Sequence, residues 1–318
     1  MSNARHLRAA RRIVRAGALL GLAAAAAACG GGQRGDALPV EAWSLSADTL
    51  TTPGLHSQGL ASLPERGADV IAFTSRYTLD RANGATIEKL ASAFPTALAS
   101  QRFDHLGDID GFAGQIYGGL EDNGEPYGER YHRALVAYDA ETLEPEAYAV
   151  DPGAPDAPGD GDAPWVTVSP DGAWVVSGEW DPQDSLLVFR RDAILAGGEI
   201  ETVVRIPLDV PLARIQGCDF DGPRVLVCAS DDAATGKLVS AIVLSAPLGA
   251  TVDLASVTAH VEPLFPVLIP PDVCGAEAEV EGVDVDGDEL RVMVIGSCLL
   301  DTHVDRYVRD AAGRARSG

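Results

Sequence analysis

A glycine-bearing turn followed at once by a short apolar run recurs along this chain about every fifty residues. The copies open at Gly67 (Gly-Ala-Asp-Val-Ile-Ala-Phe-Thr-Ser75), Gly114 (Gly-Gln-Ile-Tyr-Gly-Gly-Leu-Glu121) and Gly172 (Gly-Ala-Trp-Val-Val-Ser-Gly-Glu179). Two more open at Gly222 (Gly-Pro-Arg-Val-Leu-Val-Cys-Ala-Ser230) and Gly287 (Gly-Asp-Glu-Leu-Arg-Val-Met-Val-Ile-Gly296). Each run has the length of a β-strand, and three further strand-like segments fit into each period. A period near fifty with about four strands per repeat marks a β-propeller.

The second repeat is the clearest, with strands predicted over 105–110, 115–120, 134–138 and 146–150. The third gives 165–169, 173–177, 185–189 and 201–206, and the fourth 215–220, 224–229, 240–245 and 257–261. Pro170-Asp171-Gly172, Asp221-Gly222 and Asp286-Gly287 supply the hairpin turns. Helix signals are nearly absent, with Asp192–Leu195 good for a single turn. The fifth repeat offers 280–285, 289–295 and 303–309 and then runs into a charged tail. At the other end, Pro39–Ser46 alternates without a partner of its own, and pairing it with the last strand would close the ring and hide two sheet edges. The pattern therefore predicts an all-β, five-bladed β-propeller closed by an N-terminal strand, over residues 39–310, with 311–318 as a frayed tail. The acidic Pro/Gly stretch 151–162 reads as a loop inserted between repeats.

The leader changes the picture of where this fold works. Arg5, Arg8, Arg11, Arg12 and Arg15 precede an apolar stretch over 16–28, and no acidic residue occurs before Asp36. That is the layout of an export signal, too short to span a bilayer. It ends in Ala26-Ala27-Ala28-Cys29, followed by three glycines. This run resembles a bacterial lipobox, which implies cleavage after residue 28, fatty acylation of Cys29 and a flexible tether over 29–38. The expected address is the cell envelope, lipid-anchored and extracytoplasmic.

The 318 residues carry 24 Lys and Arg against 47 Asp and Glu, a formal net charge of −23. Losing the basic leader makes the remainder still more acidic. Such a chain is a poor partner for nucleic acid or anionic lipid, so the membrane is reached through the anchor only. With Cys29 set aside, four cysteines remain, an even number for an exported chain. A fifth-repeat hairpin turning at Asp286-Gly287 places Cys298 opposite Gly275, beside Cys274, so Cys274–Cys298 is an expected disulfide. Cys218 and Cys228 flank the fourth-repeat hairpin in the same manner.

Polar clusters stand at the opening of each first strand, the strand that lines a propeller's channel. They comprise His56 with Gln58, then His105 with Asp108 and Asp110, Trp165, Gln216, and Glu281. Second strands end in Ser75 with Arg76, Glu121, Glu179 and Asp231. Rotational symmetry brings equivalent positions to one radius, which makes His56, Gln58, His105, Asp108, Asp110, Trp165, Gln216 and Glu281 candidate ligand-binding residues at the channel. Asp108, Glu121, Glu179 and Glu281 are candidate metal ligands, and oxygen donors of this kind suit calcium. Polar channel lining that merely holds water is the competing explanation. No Gly-x-Ser-x-Gly elbow, phosphate-binding loop or His-Glu-x-x-His is present.

Gln58-Gly59-Leu60 and Glu279-Val-Glu-Gly282 followed by Val283-Asp-Val-Asp-Gly287 resemble repeat openings of the plant-and-bacterial glutaminyl cyclases, which are five-bladed propellers. Tyr138-Asp-Ala-Glu-Thr-Leu143 and Val168-Ser-Pro-Asp-Gly172 are similar to gluconolactonase-like, calcium-dependent hydrolases and to wider surface propellers. Both resemblances imply the fold. The expected role is binding of a small molecule, glycan, peptide or protein. The alternative is an enzyme, either a metal-dependent hydrolase or lactonase, or a cyclase acting on peptide N-termini. An enzyme should gather its polar residues at one channel mouth, and a scaffold should show an exposed apolar patch.

Overall fold

The computed structural model describes residues 43–52, 56–122, 132–152, 161–231, 236–269, 278–296 and 302–309. Its strands form four hydrogen-bonded sheets of four, eight, five and four strands, within which five four-stranded antiparallel meanders and one short extra strand can be followed among the described residues. The chain enters on β1 (Trp43–Thr51), whose partner comes from the far end of the sequence. The first meander holds β2 (Gly59–Ser62), β3 (Val70–Ser75), β4 (Thr78–Asn83) and β5 (Thr86–Ser92). A four-residue helix, α1 (Thr96–Ala99), leads into β6 (His105–Phe112), β7 (Gln115–Glu121), β8 (Arg133–Asp139) and β9 (Pro145–Asp151). The third meander begins with β10 (Val166–Val168), β11 (Trp174–Ser177) and β12 (Gln183–Arg190). Helix α2 (Arg191–Ala196) and the two-residue β13 (Gly198–Glu199), which pairs parallel with β9, interrupt it before β14 (Val204–Leu212) completes it. The fourth is β15 (Ile215–Phe220), β16 (Val225–Ser230), β17 (Leu238–Leu244) and β18 (Ala259–Pro266). Outer strands β14 and β18 touch through a single parallel pair, Leu208 with Ala259. The fifth is β19 (Glu279–Asp286), β20 (Glu289–Ile295) and β21 (Thr302–Arg309), and β1 supplies its fourth strand.

Burial explains the sequence pattern. Strands β3, β7, β8, β16 and β20 lie inside their meanders with both faces covered, so they read as continuous apolar runs rather than alternations. The outer strand β5 is largely solvent-facing and is polar at most positions. Five hydrophobic clusters form the core, each shared by two adjacent meanders. One joins the last to the first, packing Met293 and Val304 against Leu60, Ile71, Phe73 and Ala82. The other four join first to second, second to third, third to fourth and fourth to fifth. The cores thus run round a ring, as in a propeller.

The N-terminal strand closes that ring, with Trp43 opposite Arg309, Leu45 opposite Tyr307 and Thr51 opposite His303. It runs further than the predicted 39–46, through a bulge between Leu45 and Thr49, and residues 39–42 lie outside the described residues. Arg309 fastens the closure, its guanidinium carbon 4.5 Å from the centroid of the Trp43 ring and its Nη2 on Asp221 of the fourth meander. Cys218 and Cys228 stand opposite each other on β15 and β16 and form a disulfide, as expected. Cys29, Cys274 and Cys298 lie outside the described residues. No helix among the described residues is long and apolar enough to cross a membrane.

Candidate functional site

The inner strands β2, β6, β10, β15 and β19 meet at the axis, and glycine lets them meet closely. A Cβ on Gly282 would lie 2.8 Å from the Cα of Gly59 and 2.9 Å from Oδ1 of Asp108. One on Gly217 would lie 2.7 Å from the Val283 nitrogen and 2.8 Å from the Glu281 carbonyl oxygen. Asp108 fills the centre. Its Oδ1 accepts from the Leu60 N–H at 3.0 Å, its Oδ2 from the Val283 N–H at 3.1 Å, and its own N–H donates to the Pro164 carbonyl at 2.8 Å. One aspartate thereby grips the first, third and fifth meanders from the second. Burial pushes its carboxyl well above the ordinary carboxylate range.

Where the inner strands begin, a polar network spans the first three meanders. His105 sits at the head of β6, with Nδ1 on Glu121 Oε1 and Nε2 on Gln58 Oε1. The Gln58 amide is oriented by its own Nε2, which donates to the Ser57 carbonyl at 2.5 Å. Oxygen therefore faces the ring on both sides. Glu121 Oε2 accepts from the Ala163 N–H at 3.2 Å. Beyond it lies Asp162, pushed up to about 7 by burial first and then by the neighbouring Glu121 and Glu179 carboxyls. Asp162 accepts from the backbone N–H of Trp180, whose indole is 39% exposed.

Arg133 underpins this network from the first residue of β8, only 1% exposed. Its Nη2 donates to Glu179 Oε1 at 2.6 Å and its Nη1 to the Asp162 carbonyl at 2.9 Å, while Nε lies 3.1 Å from Asp151 Oδ2. Glu179 Oε2 also takes the Gly161 N–H at 3.2 Å. Arg214 covers the Trp180 ring, its guanidinium carbon 5.6 Å from the centroid. Its backbone adopts φ +51, a left-handed conformation that a non-glycine residue occupies at a cost of about 1 kcal/mol or more.

The eight candidates from the sequence thus divide. Gln58 and His105 join at this mouth, and Asp108 is the floor beneath it. Gln216 stands half-buried at the head of β15. Glu281 is buried, its carboxyl raised well above the usual range by burial and next by Glu279, to which it is hydrogen-bonded. Asp110 lies further along β6, toward the hairpin turn. His56 leaves the channel altogether: it is buried, stacks on Phe73 at 4.3 Å and meets Asp80 of β4 at 3.1 Å. Trp165 is likewise a core residue, donating from Nε1 to Gln183 at 3.2 Å within the cluster between the third and fourth meanders. Both precede their inner strands, where the backbone has not yet taken the pleat that aims side chains at the axis.

The proposed metal set does not come together either. Among the described residues no three His, Cys, Asp or Glu side chains are arranged to hold a metal ion. Glu179 is occupied by Arg133, Glu121 by His105 and Asp108 by backbone amides. Sequence reasoning missed Asp162, Arg133 and Trp180. A signal existed for Arg133, a charged residue opening the otherwise apolar run Ala134–Tyr138.

No protein-family model and no curated protein sequence matches this chain. Solved structures resemble it in fold. A GH43_1 enzyme from Xanthomonas citri complexed with xylose has a TM-score of 0.51 at 11% identity, covering 83% of this chain and 92% of its own. The same enzyme complexed with xylotriose gives 0.51 at 11%, with the same coverage. The soluble aldose sugar dehydrogenase of Escherichia coli gives 0.49 at 10%, covering 84% and 100%. At such identities the likeness is one of propeller fold.

Proposed function

We propose that this chain is a lipid-anchored, extracytoplasmic propeller that binds a polyhydroxylated small molecule of the carbohydrate class at the mouth where its inner strands begin. The observation that carries this reading is the His105 bridge between Gln58 and Glu121, next to Asp162, which accepts from the backbone N–H of the partly exposed Trp180. Hydrogen-bonding side chains and, through Asp162, the neighbouring Trp180 suit a pyranose, which offers hydroxyls at its edge and C–H groups on its face. The neighbours complexed with xylose and xylotriose make those two sugars reasonable first probes.

Titration with xylose and xylotriose, followed by intrinsic tryptophan fluorescence and thermal shift, is expected to give a saturable signal. Trp180→Ala and His105→Ala should each weaken it by roughly tenfold. A panel of mono- and oligosaccharides that moves neither signal would remove the carbohydrate reading.

A second reading, hydrolysis of a glycosidic bond, is favoured by Asp162. A carboxyl raised to about 7 beside the Glu121 carboxyl and the arginine-paired Glu179 resembles the division of labour that general acid–base hydrolysis uses. New reducing ends in the same oligosaccharide incubations, absent with Asp162→Asn, would establish it. Binding without cleavage leaves the first reading.

The address is proposed from the leader, and the Cys218–Cys228 bond fits an oxidising compartment. Metabolic labelling with a fatty-acid probe is expected to mark the wild type and not Cys29→Ala. An unlabelled wild-type protein would refute the anchor.

A further inference from the structure

The opposite end of the channel, toward the hairpin turns, carries a second polar belt that the reading above does not use. One residue from each inner strand reaches it: Ser62, Asp110, Thr167, Asp219 and Asp284. Each carboxyl holds the backbone of a neighbouring meander. Asp110 Oδ2 accepts from the Val168 N–H at 2.6 Å, Asp219 Oδ2 from the Val285 N–H at 2.7 Å, and Asp284 Oδ1 from the Ser62 N–H at 2.7 Å. Thr167 closes the circuit, its Oγ1 lying 3.1 Å from Asp110 Oδ2 and 2.9 Å from Asp219 Oδ1.

That last geometry counts protons. A threonine hydroxyl has one hydrogen, so it donates to only one of the two carboxyl oxygens. The other contact is a hydrogen bond only if the carboxyl itself carries a proton and donates to Oγ1. We infer that Asp110 and Asp219 share a proton through Thr167, and that this belt is a pH-sensitive latch stapling the inner strands of the propeller.

The charges facing the pair reinforce this. Asp284 on β19 faces both aspartates, and Asp108 faces Asp219 from further up the channel. On the β7 side stands Tyr117, which accepts from Arg191 Nη1 at 3.0 Å. Arg291 reaches the belt at Asp284, 2.7 Å away, and at Ser62, and contacts neither Asp110 nor Asp219 through a hydrogen bond or ion pair among the described residues. Burial, and next the Asp284 charge, hold the Asp110 carboxyl up to about 7. Burial, then Asp110 and Asp284, raise Asp219 well above its usual range. A carboxyl whose folded pKa is raised favours the folded state while protonated. Its contribution is complete below the unfolded value near 4 and is lost as pH rises through the folded value, so the latch weakens between about pH 4 and pH 7.

Thermal unfolding across pH 5 to 8 tests this on the full chain. The wild-type Tm should fall by roughly 5–10 °C over that range. Asp110→Asn and Asp219→Asn each remove one titrating group of the pair while an amide oxygen can still accept a backbone N–H, from Val168 or Val285, so the Tm of each should fall by several degrees less than the wild type's between pH 5 and pH 8. Tm curves that run parallel to the wild type for both variants would overturn the latch. If either variant fails to fold, the other decides. If both fail, the pH slope of wild-type unfolding free energy does, because fewer than one excess proton in the folded state near pH 6 also overturns it.

Discussion

Alanine at Gly217 is expected to prevent stable folding. The added methyl group would sit 2.7 Å from the Val283 nitrogen and 2.8 Å from the Glu281 carbonyl oxygen, and it would press on Asp108 Oδ2 as well. Two of these three obstacles are backbone atoms of β19. The third belongs to a side chain fixed by two backbone N–H groups. None is the free end of a flexible side chain, so relief requires an inner strand to leave the axis. A displaced strand gives up the Asp108 bonds to Leu60 and Val283 and disturbs the packing of meanders on either side. Overpacking alone costs about 1–3 kcal/mol, and unpaired amides and a displaced carboxyl add to it, so a loss above about 4 kcal/mol is expected. Gly84→Ala is the control. Gly84 occupies a turn at φ +55 with open space around its Cβ position, so only the left-handed backbone opposes alanine, at about 1–2 kcal/mol. Chemical denaturation of both variants measures the contrast. A Gly217→Ala protein no less stable than Gly84→Ala would show that the inner strands can part without harm.

That hub was legible in part. Gln58-Gly59, Gln216-Gly217 and Glu281-Gly282 repeat a polar residue followed by glycine at the openings of three first strands. The polar members attract attention as ligands, whereas the glycines mark where backbones touch. The repeat grammar located most strands of the second to fifth meanders to within about two residues, because buried runs and turn glycines are local signals. What it missed is set by tertiary partners. β13 exists only because β9 offers an edge, and β18 starts late because Leu254–Ser256 forms a turn capped by Asp253. Bulges in β6, β15 and β19 change which side chains face the axis, and sequence spacing alone does not show them. Asp284 consequently reads as an ordinary hairpin-flanking aspartate and Asp110 as one channel candidate among eight, with no local sign that the two converge with Asp219 from three meanders. Trp180 and Asp162 lie in loops outside the repeat pattern, where symmetry gives no guidance.

Truncating Arg133 to alanine is expected to cost about 3–5 kcal/mol and to disable the mouth even where the protein still folds. The guanidinium is buried, donates to Glu179 and to the Asp162 carbonyl, and is ion-paired with Asp151. Without it, Asp151 and Glu179 lose a close cationic contact, Arg205 standing 3.9 Å from Glu179 Oε1, and the fork geometry that fixed Glu179 is gone. Arg133 also lowers the Asp162 carboxyl while Glu179 raises it, so the proton on Asp162 should be held to higher pH still. Arg133→Lys separates charge from geometry. Lysine keeps the positive charge but cannot span the three partners, so it should recover part of the stability and little of any saccharide-dependent fluorescence change. Arg133→Met tests the opposite case, restoring apolar volume without charge, and should be as damaging as alanine if uncompensated carboxyls are the cause. Urea denaturation of the three variants, paired with the xylotriose titration, distinguishes these outcomes. Should Arg133→Met prove as stable as the wild type, the buried arginine would be filling space rather than holding the carboxyls of the mouth in place.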